Sequence, residues 1–553
     1  MSVAGLLEQM TRDVRPALYA LGAAVLALLL VACGNAAGLL IGGALARQHE
    51  FATRLALGAS RARIVRQVAA ENFVVGLLAA TGGFVLAWWA RDLLVGAATA
   101  AGVPRASEIS IGPMTFAAGI VLSLACTTVC ALVTALEATR AGDLRVVRGA
   151  GASTPRRGRG GAVLIGVEAA LSMALLVGAA LLIRSFYALQ LTDPGFDPAR
   201  VVTTRLSPPS ARYPAGPALS AFYDQVVERV KGLPGVEGAS VVDWLPVSGF
   251  GASVPFRLTP AGPPHRQATL AEIRVVGPDY FQTMGVPVVA GRPFDRRDVD
   301  GSPPVVAINE ALARVYFGSQ SPVGRSLTLD RGGPLEVEIV GVIGDVRELA
   351  LRISPAPGVY APKAQQPWMR HETRELVIRT NAATAAMAPA IRTVLHELEQ
   401  DMPLAPIQRM DDVVGGALAR PGFYASAVSG FAVTAVLLAA FGIYGTVTSA
   451  VALRRRELGV RLALGASRRD VLMRAAGGGA TPTLIGVAAG VPLALSAGRM
   501  LRDQLYGIEP TDWSTIVLVA GFMAAVALAA AIWPAVQAMR IDPAVVLKHE
   551  ADA

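Results

Sequence analysis

Three residue types in this chain have the chemistry to build a catalytic or metal site, and their spacing argues against most of it. The five histidines, His49, His265, His371, His396 and His549, lie in unrelated segments and form neither HxxxH nor HExxH, so no zinc-binding helix is read from them. The three cysteines, Cys33, Cys126 and Cys130, sit inside long apolar runs. Cys126 and Cys130 have helical i,i+4 spacing, but no His or carboxylate stands close to them, so they read as helix-packing or lipid-facing residues, with no disulfide framework. Only three lysines occur, Lys231, Lys363 and Lys548, preceded by Val230, Pro362 and Leu547, so the Gly-Lys pair of a phosphate-binding P-loop is missing. The sequence predicts no catalytic residues, no metal and no cofactor. Any ATP that this protein's work consumes is expected to be hydrolysed by another subunit.

What recurs is a heptapeptide. Arg47–Ser60 reads RQHEFATRLALGAS and Arg454–Ser467 reads RRRELGVRLALGAS. Glu50 matches Glu457, Arg54 matches Arg461, and the identical run brings Leu55, Leu57, Gly58 and Ser60 opposite Leu462, Leu464, Gly465 and Ser467. Farther on, ALEATR at 135–140 matches AVQAMR at 535–540. The leucines and alanines favour helix, the glycine can take the left-handed conformation that ends one, and the serine suits the N-cap of the next. Ser467 with Asp470 makes a capping-box-like pair. The heptapeptide therefore predicts a helical hairpin that carries its arginine outward. Anchoring to anionic lipid headgroups would explain a basic loop, but not an identity kept between two diverged copies, so docking of a protein partner is the favoured reading.

The elements that must position these hairpins are membrane spans. Hydrophobic residues make up 53% of the 553 and charged ones 16%, and the mean hydropathy is +0.48. A soluble chain of this size is rarely so apolar. The net charge of +9 does not point to nucleic acid, because the arginines crowd the ends of apolar runs and form no basic face interleaved with aromatics. Seven runs are long enough to cross a bilayer, near 17–46, 70–90, 113–136, 161–184, 423–451, 480–500 and 514–534. Residues 1–16 lack the charged-then-apolar order of a signal peptide. Loops 47–69, 140–159 and 452–479 are rich in arginine and are assigned to the cytoplasm, while 91–111 and 499–513 are mixed and fall outside. Alternation then places the N-terminus and segment 187–421 outside and the C-terminus inside. Gly34, Gly38 and Gly42, and likewise Gly486 and Gly490, repeat at four-residue spacing, which lets helices approach closely in lipid. Asn35 and Glu168 are the chief polar positions within the spans, and no paired buried charges mark an ion or solute pathway.

Segment 187–421 reads as a folded α/β domain. Strands are predicted at Ala239–Val242, Ile273–Val276, Val305–Ile308 and Glu336–Val342, and helices at Ala218–Val230 and Ala388–Leu398, with Pro389 in a first turn. A mixed sheet follows from their alternation. The segment has no GxSxG and no metal cluster, and GVIGD at 341–345 reads as a turn.

On these residues the chain resembles the FtsX-like permease family in its MacB-like branch of ABC transporters, and it is most similar to the duplicated orphan permeases (ADOP type), where two permease units share one polypeptide. The resemblance rests on the two RLALGAS hairpins with Arg66-Gln67 and the following RRD, and on AIWPAVQAMRIDPAVVLK near the end. It also rests on GAALLIRSFYALQLTDPGFDP (178–198), VVGPDYFQTMGVPVVAGRPF (275–294) and VVAINEALARVYFG (305–318). It implies a polytopic α-helical membrane protein of the bacterial inner membrane, about seven spans in two repeated units, with one α/β periplasmic domain. Residues 1–150 would be a first unit of three helices lacking its own first helix and periplasmic domain, with 1–16 as the tail of that domain. Residues 151–186 would be a linker and span, 187–421 the MacB-like periplasmic domain, and 422–553 a second unit of three helices. It further implies that Glu50–Ser60 and Glu457–Ser467 dock on a separate P-loop ATPase, whose movement is transmitted to the periplasmic domain for efflux or mechanotransmission. Membrane lipid and a periplasmic adaptor or hydrolase are the other partners implied. The alternative reading is a non-transporting regulator of a cell-wall hydrolase.

Overall fold

Apolar runs, four of them opened by arginine, become the long helices of the protein. In a computed structural model these are α1 (Arg15–Ala46), α2 (Arg61–Ala100), α3 (Pro113–Thr128), α4 (Arg159–Gln190), α5 (Met410–Leu453), α6 (Arg468–Met500) and α7 (Trp513–Met539). The structure describes residues 15–103 apart from 48, 49, 51, 52, 55 and 56; residues 108, 110 and 112–128; 159–259; 269–453 apart from 296, 331, 332 and 366–373; and 467–539. All but α3 are long and apolar enough to cross a membrane. The run predicted at 113–136 is helical through Thr128, and its remainder lies outside the described residues. The chain divides into two compact units, Met1–Ala188 with Arg420–Ala553, and Leu189–Ala419.

In the helical unit α4 is the most enclosed element. More than half of its apolar window (56%) is buried, against 6% of that of α2. Its Ala169, Met173, Val177 and Leu181 pack with Val436 of α5, Val487 and Ala494 of α6, and Ile516, Val519 and Met523 of α7. Leu175, Ala179 and Leu182 of α4 meet Ala24 of α1 and Ala425, Val428 and Ala432 of α5. By contrast α2 leaves Trp89, Leu93 and Leu78 exposed, and packs with α3 through Ser123, whose hydroxyl donates to the Gly76 carbonyl at 3.4 Å.

Among the described residues the other unit carries an 11-stranded mixed sheet. Its strands are β1 (Val201–Leu206), β2 (Val236–Val242), β3 (Ala252–Thr259), β4 (Thr269–Val276), β5 (Val288–Gly291), β6 (Val305–Asn309), β7 (Ser326–Asp330), β8 (Pro334–Ile343), β9 (Gly358–Pro362), β10 (Arg374–Thr380) and β11 (Gln408–Arg409). Six of them close into a ring, β4-β3-β7-β8-β6-β9, completed by the parallel β4–β9 pair. Val254, Phe256, Ile273, Val306, Ile339 and Val359 form its core together with Leu312 from helix Glu310–Tyr316. The remaining path, β11-β1-β10-β2, backs onto helices Pro217–Lys231 and Thr384–Leu398 over Phe222, Val226, Val230, Ile378 and Ile391. Ring and open sheet join at one strand register, Val242 opposite Val276. The Gly277 N–H donates to Val241 at 2.7 Å and the Asp243 N–H to Val275 at 3.1 Å, either side of it.

Two local expectations change. The second helix begins at Thr384, not at Ala388, so Pro389 lies inside it. The Thr-Ala-Ala-Met stretch favours helix, and Met387 is buried, which outweighs the N–H that proline cannot supply. GVIGD is not wholly turn: Gly341–Ile343 finish β8, and Asp345 accepts from the Ala311 N–H at 2.7 Å and from Arg314 at 2.9 Å.

Candidate coupling hairpin and buried polar groups

The first heptapeptide sits in a frame of ionic and polar contacts. Arg47, one residue past α1, donates to Glu50 at 2.9 Å and to Glu71 of α2 at 2.8 Å. Arg54 pairs with Glu50 at 2.7 Å and donates to Gln67 at 2.6 Å, and Gln67 donates to Glu71 at 3.0 Å. Arg47 holds the Glu50 carboxyl below the usual carboxylate range, chiefly by hydrogen bonding. Gly58 takes the left-handed conformation at φ +91°, and the Ala59 N–H closes on the Arg54 carbonyl at 2.9 Å.

Arg54 therefore does not point outward as a free cation; it ties the turn to α2. Among the described residues of the hairpin, Leu57 stands out as an apolar side chain 82% exposed. Ser60 occupies the N-cap position of α2 with extended backbone angles, but its hydroxyl makes no capping bond; its carbonyl accepts from Arg63 at 3.0 Å. Leu55 lies outside the described residues, as do Glu457, Arg461, Leu462, Leu464 and Gly465. Ser467 is exposed immediately before α6; Asp470 is helical, but its side chain is outside the description. Sequence reasoning missed Arg47, Gln67 and Glu71 as parts of the frame. The spacings Arg47–Glu50, Glu50–Arg54 and Gln67–Glu71, three or four residues apart, were the available signal.

The glycines of α1 and α6 meet α4 from two directions. A Cβ at Gly34 would lie 2.5 Å from Glu168 Oε1, and one at Gly38 3.8 Å from Leu164 Cδ2. One at Gly490 would lie 2.9 Å from the Ala170 carbonyl and from Met173 Cβ, and Gly486 abuts the Gly166 backbone more tightly still. The surroundings of Gly42 are outside the described residues. Asn35 and Glu168, distant in sequence, are brought together: both border Gly442 of α5. At the opposite ends of α4 and α7, Arg184 pairs with Asp512 and donates to Ser514 at 2.9 Å and Thr515 at 2.6 Å.

In the α/β unit a charged cluster is buried where ring and open sheet join. Arg274 donates to Glu348 at 3.0 Å and to the Phe250 carbonyl at 3.1 Å, and Tyr360 donates to the other Glu348 oxygen. Burial pushes the Asp243 carboxyl up to about 6 against the pull of Arg274 and Arg374, and pushes the Arg374 guanidinium down. Asp243 Oδ2 and Arg374 Nη1 have no hydrogen-bond partner among the described residues. Among the described residues the cluster contains no nucleophile beside a base.

A MacB-like periplasmic core domain model matches residues 161–394, and an FtsX-like permease C-terminal model matches 21–142 and 429–543. Both fall on permease domains, and neither is an ATPase domain. Among curated relatives, the macrolide export ATP-binding/permease protein MacB 2 of Aeromonas hydrophila is 24% identical over 50% of this chain, and the macrolide export ATP-binding/permease protein MacB of Acinetobacter baylyi is 25% identical over 51%. The chain spans 43% of the length of each. The crystal structure of the periplasmic region of MacB from Actinobacillus actinomycetemcomitans aligns with 41% of this chain and 95% of its own, at 14% identity and a TM-score of 0.28. With apolar spans, a mixed α/β unit and both domain types in one polypeptide, the chain is a member of the FtsX-like and MacB-like permease family.

Proposed function

We propose that this chain is the permease component of a MacB-type ABC transporter system and passes ATP-driven movement from a separate cytoplasmic ATPase to its α/β unit. In this reading the protein lies in a bacterial inner membrane with residues 187–421 in the periplasm and both RLALGAS hairpins and the C-terminus in the cytoplasm. The observation that carries it is the hairpin between α1 and α2: an apolar side chain, Leu57, held out at 82% exposure on a turn fixed by Arg47, Arg54 and Gln67. An exposed leucine on a turn braced by ion pairs suits a shallow apolar socket on a protein surface better than it suits headgroups, which reward arginines that are free. Here Arg47 and Arg54 are engaged within the frame. Leu464, in the second copy, is assigned the same role by the sequence identity. Gly34, Gly486 and Gly490 are assigned the close contacts through which α1 and α6 pack on α4, and Gly38 and Gly42 are placed in line with Gly34 by their four-residue spacing.

Co-purification with a P-loop ATPase tests the reading. Leu57→Asp together with Leu464→Asp is expected to lower capture at least tenfold while leaving the thermal stability of the permease unchanged. Undiminished capture counts against docking through these hairpins, and capture of a soluble hydrolase by the α/β unit, with no ATPase bound, would favour the regulator instead.

A further inference from the structure

Two polar side chains from different spans meet inside the helical unit, and the coupling role uses neither. Asn35 of α1 and Glu168 of α4 are 9% and 4% exposed. The Asn35 amide nitrogen donates to the Leu438 carbonyl of α5 at 2.7 Å. Only the nitrogen can donate, so this bond fixes which way the amide faces. Oδ1 is left buried with no donor among the described residues. Glu168 threads between two glycines: a Cβ at Gly34 would lie 2.5 Å from its Oε1, and one at Gly442 2.9 Å from its Oε2. The same Gly442 position abuts Asn35 Oδ1. Two acceptors thus border one notch, which exists because residue 442 has no side chain.

No hydrogen bond or ion pair joins Glu168 to another described residue. The charged residues of the three helices are Arg15 on α1, Arg159 and Arg184 on α4, and Asp411, Asp412 and Arg420 on α5. The nearest along the chain, Arg159, is roughly 13 Å of helix rise from Glu168. Cys33 and Tyr444 are the titratable residues closest in sequence to Asn35 and Gly442. Two more helices pack on this stretch of α4: α6 through Gly486 against Gly166, and α7 through Ala527 and Ala531 around Ile165. The charges of α6, Arg468, Arg469, Asp470, Arg474 and Arg499, lie toward its two ends, and α7 has none.

Buried acceptors that border one notch with no donor to satisfy them forfeit the desolvation of both. We propose that Glu168 and Asn35 form a binding site for one proton, in which the Glu168 carboxylic acid donates its O–H to Asn35 Oδ1. That single hydrogen satisfies the orphaned oxygen and links α4 to α1, which Asn35 already fastens to α5. A hard metal cation fits the notch less well, because such ions gather six or more oxygens. Here the neighbouring Leu438 and Ala435 carbonyls already accept from Asn35 and from Ser172, at 2.7 and 3.4 Å. Separation of the three spans admits water to the notch and releases the proton, so their movement is coupled to protonation.

Infrared spectroscopy of the full chain in lipid nanodiscs at neutral pH tests this. The spectrum is expected to contain the carbonyl stretch of a protonated carboxylic acid that disappears in Glu168→Gln. In Asn35→Ala the band should persist but move to the higher frequency of an acid with no hydrogen-bond acceptor. Carboxylate bands in the wild-type minus Glu168→Gln difference overturn the proposal, and an unshifted Asn35→Ala band overturns the contact. A wild-type band that gives way to carboxylate when sodium replaces potassium makes the ligand sodium and also overturns it. If Glu168→Gln does not fold, Glu168→Asp, which keeps the acid and displaces its band, provides the same comparison.

Discussion

Arg47 holds Glu71 at 2.8 Å across the mouth of the first hairpin, so the turn that presents Leu57 is braced from the end of α1 to the third turn of α2. Neither residue belongs to the repeated heptapeptide. The frame depends on charges half open to solvent, which makes it adjustable by salt and by substitution.

Glu71→Gln is expected to speed amide hydrogen exchange at Leu57–Ser60 several-fold, with the difference shrinking at high salt. Glu71→Asp, which keeps the carboxylate while leaving Arg47 on Glu50, should give an intermediate rate. Acid should act in the same direction: Glu50 is held below its ordinary value, so its contribution is present at neutral pH and is lost as pH falls through the folded-state value. Exchange rates indifferent to all three changes would show that the turn holds itself.

The glycines facing α4 should differ in tolerance. Gly490→Val drives a side chain against the Ala170 carbonyl and Met173 Cβ, both 2.9 Å from the added Cβ, and is expected to cost about 1–3 kcal/mol as overpacking. Gly38→Ala meets only Leu164 Cδ2 at 3.8 Å and should be neutral, or stabilising by about 0.5–1 kcal/mol through helix propensity. Thermal unfolding in detergent reports both, and equal destabilisation would contradict the packing described.

The Asp243 carboxyl sits above its ordinary value, so between about pH 4 and 6 the folded α/β unit binds more protons than the unfolded chain. Its stability should therefore fall as pH rises through that window and level off above it, by an amount on the order of 2–3 kcal/mol. Asp243→Asn should flatten the curve in the full chain's thermal transition for this unit. A slope that survives the substitution would assign the titration to another group.

Glu348→Ala strands Arg274, 1% exposed, without its anion and is expected to destabilise the unit by about 3–5 kcal/mol. Arg274→Met with Glu348→Leu should be milder than Glu348→Ala alone, because a buried pair removed together leaves no unpaired charge. Chemical denaturation of the three variants gives the comparison, and a double variant worse than the single would place the value of the pair in its hydrogen bonds to Tyr360 and Phe250.

Span positions were legible because a bilayer sets a length that composition alone can satisfy. The turn at Gly58 was legible because glycine after a leucine-alanine run has a local meaning. Which face each helix turns to its neighbours is not local, and Asn35 and Glu168 looked like isolated polar residues until helix rotation brought both to Gly442. The α/β unit shows the same division. Val305–Ile308 announces a buried strand by itself, whereas VVTTRL and RELVIRT become β1 and β10 only by pairing, Val201 opposite Arg379. The ring depends on β4 meeting β9 across a long sequence interval, a closure that no window of residues records. Ser60 failed as a capping side chain for a smaller reason: its position is right, but its hydroxyl does not reach the first-turn N–H groups.

The single register between Val242 and Val276 gives the α/β unit an uneven mechanical character. Every strand of the ring is flanked on two sides, so a pull has no edge at which to begin peeling it, while the seam to the open sheet has one matched strand pair with two flanking backbone bonds, and Lys363 beside it reaching Asp224 at 2.8 Å and Ser220 at 2.9 Å, to resist the same load. Forced extension of the unit in an optical trap should therefore give two separate rips, the seam and open sheet at lower force and the hoop of six strands at higher force. A single rip would mean that the buried Arg274 and Glu348 weld the two parts into one cooperative block.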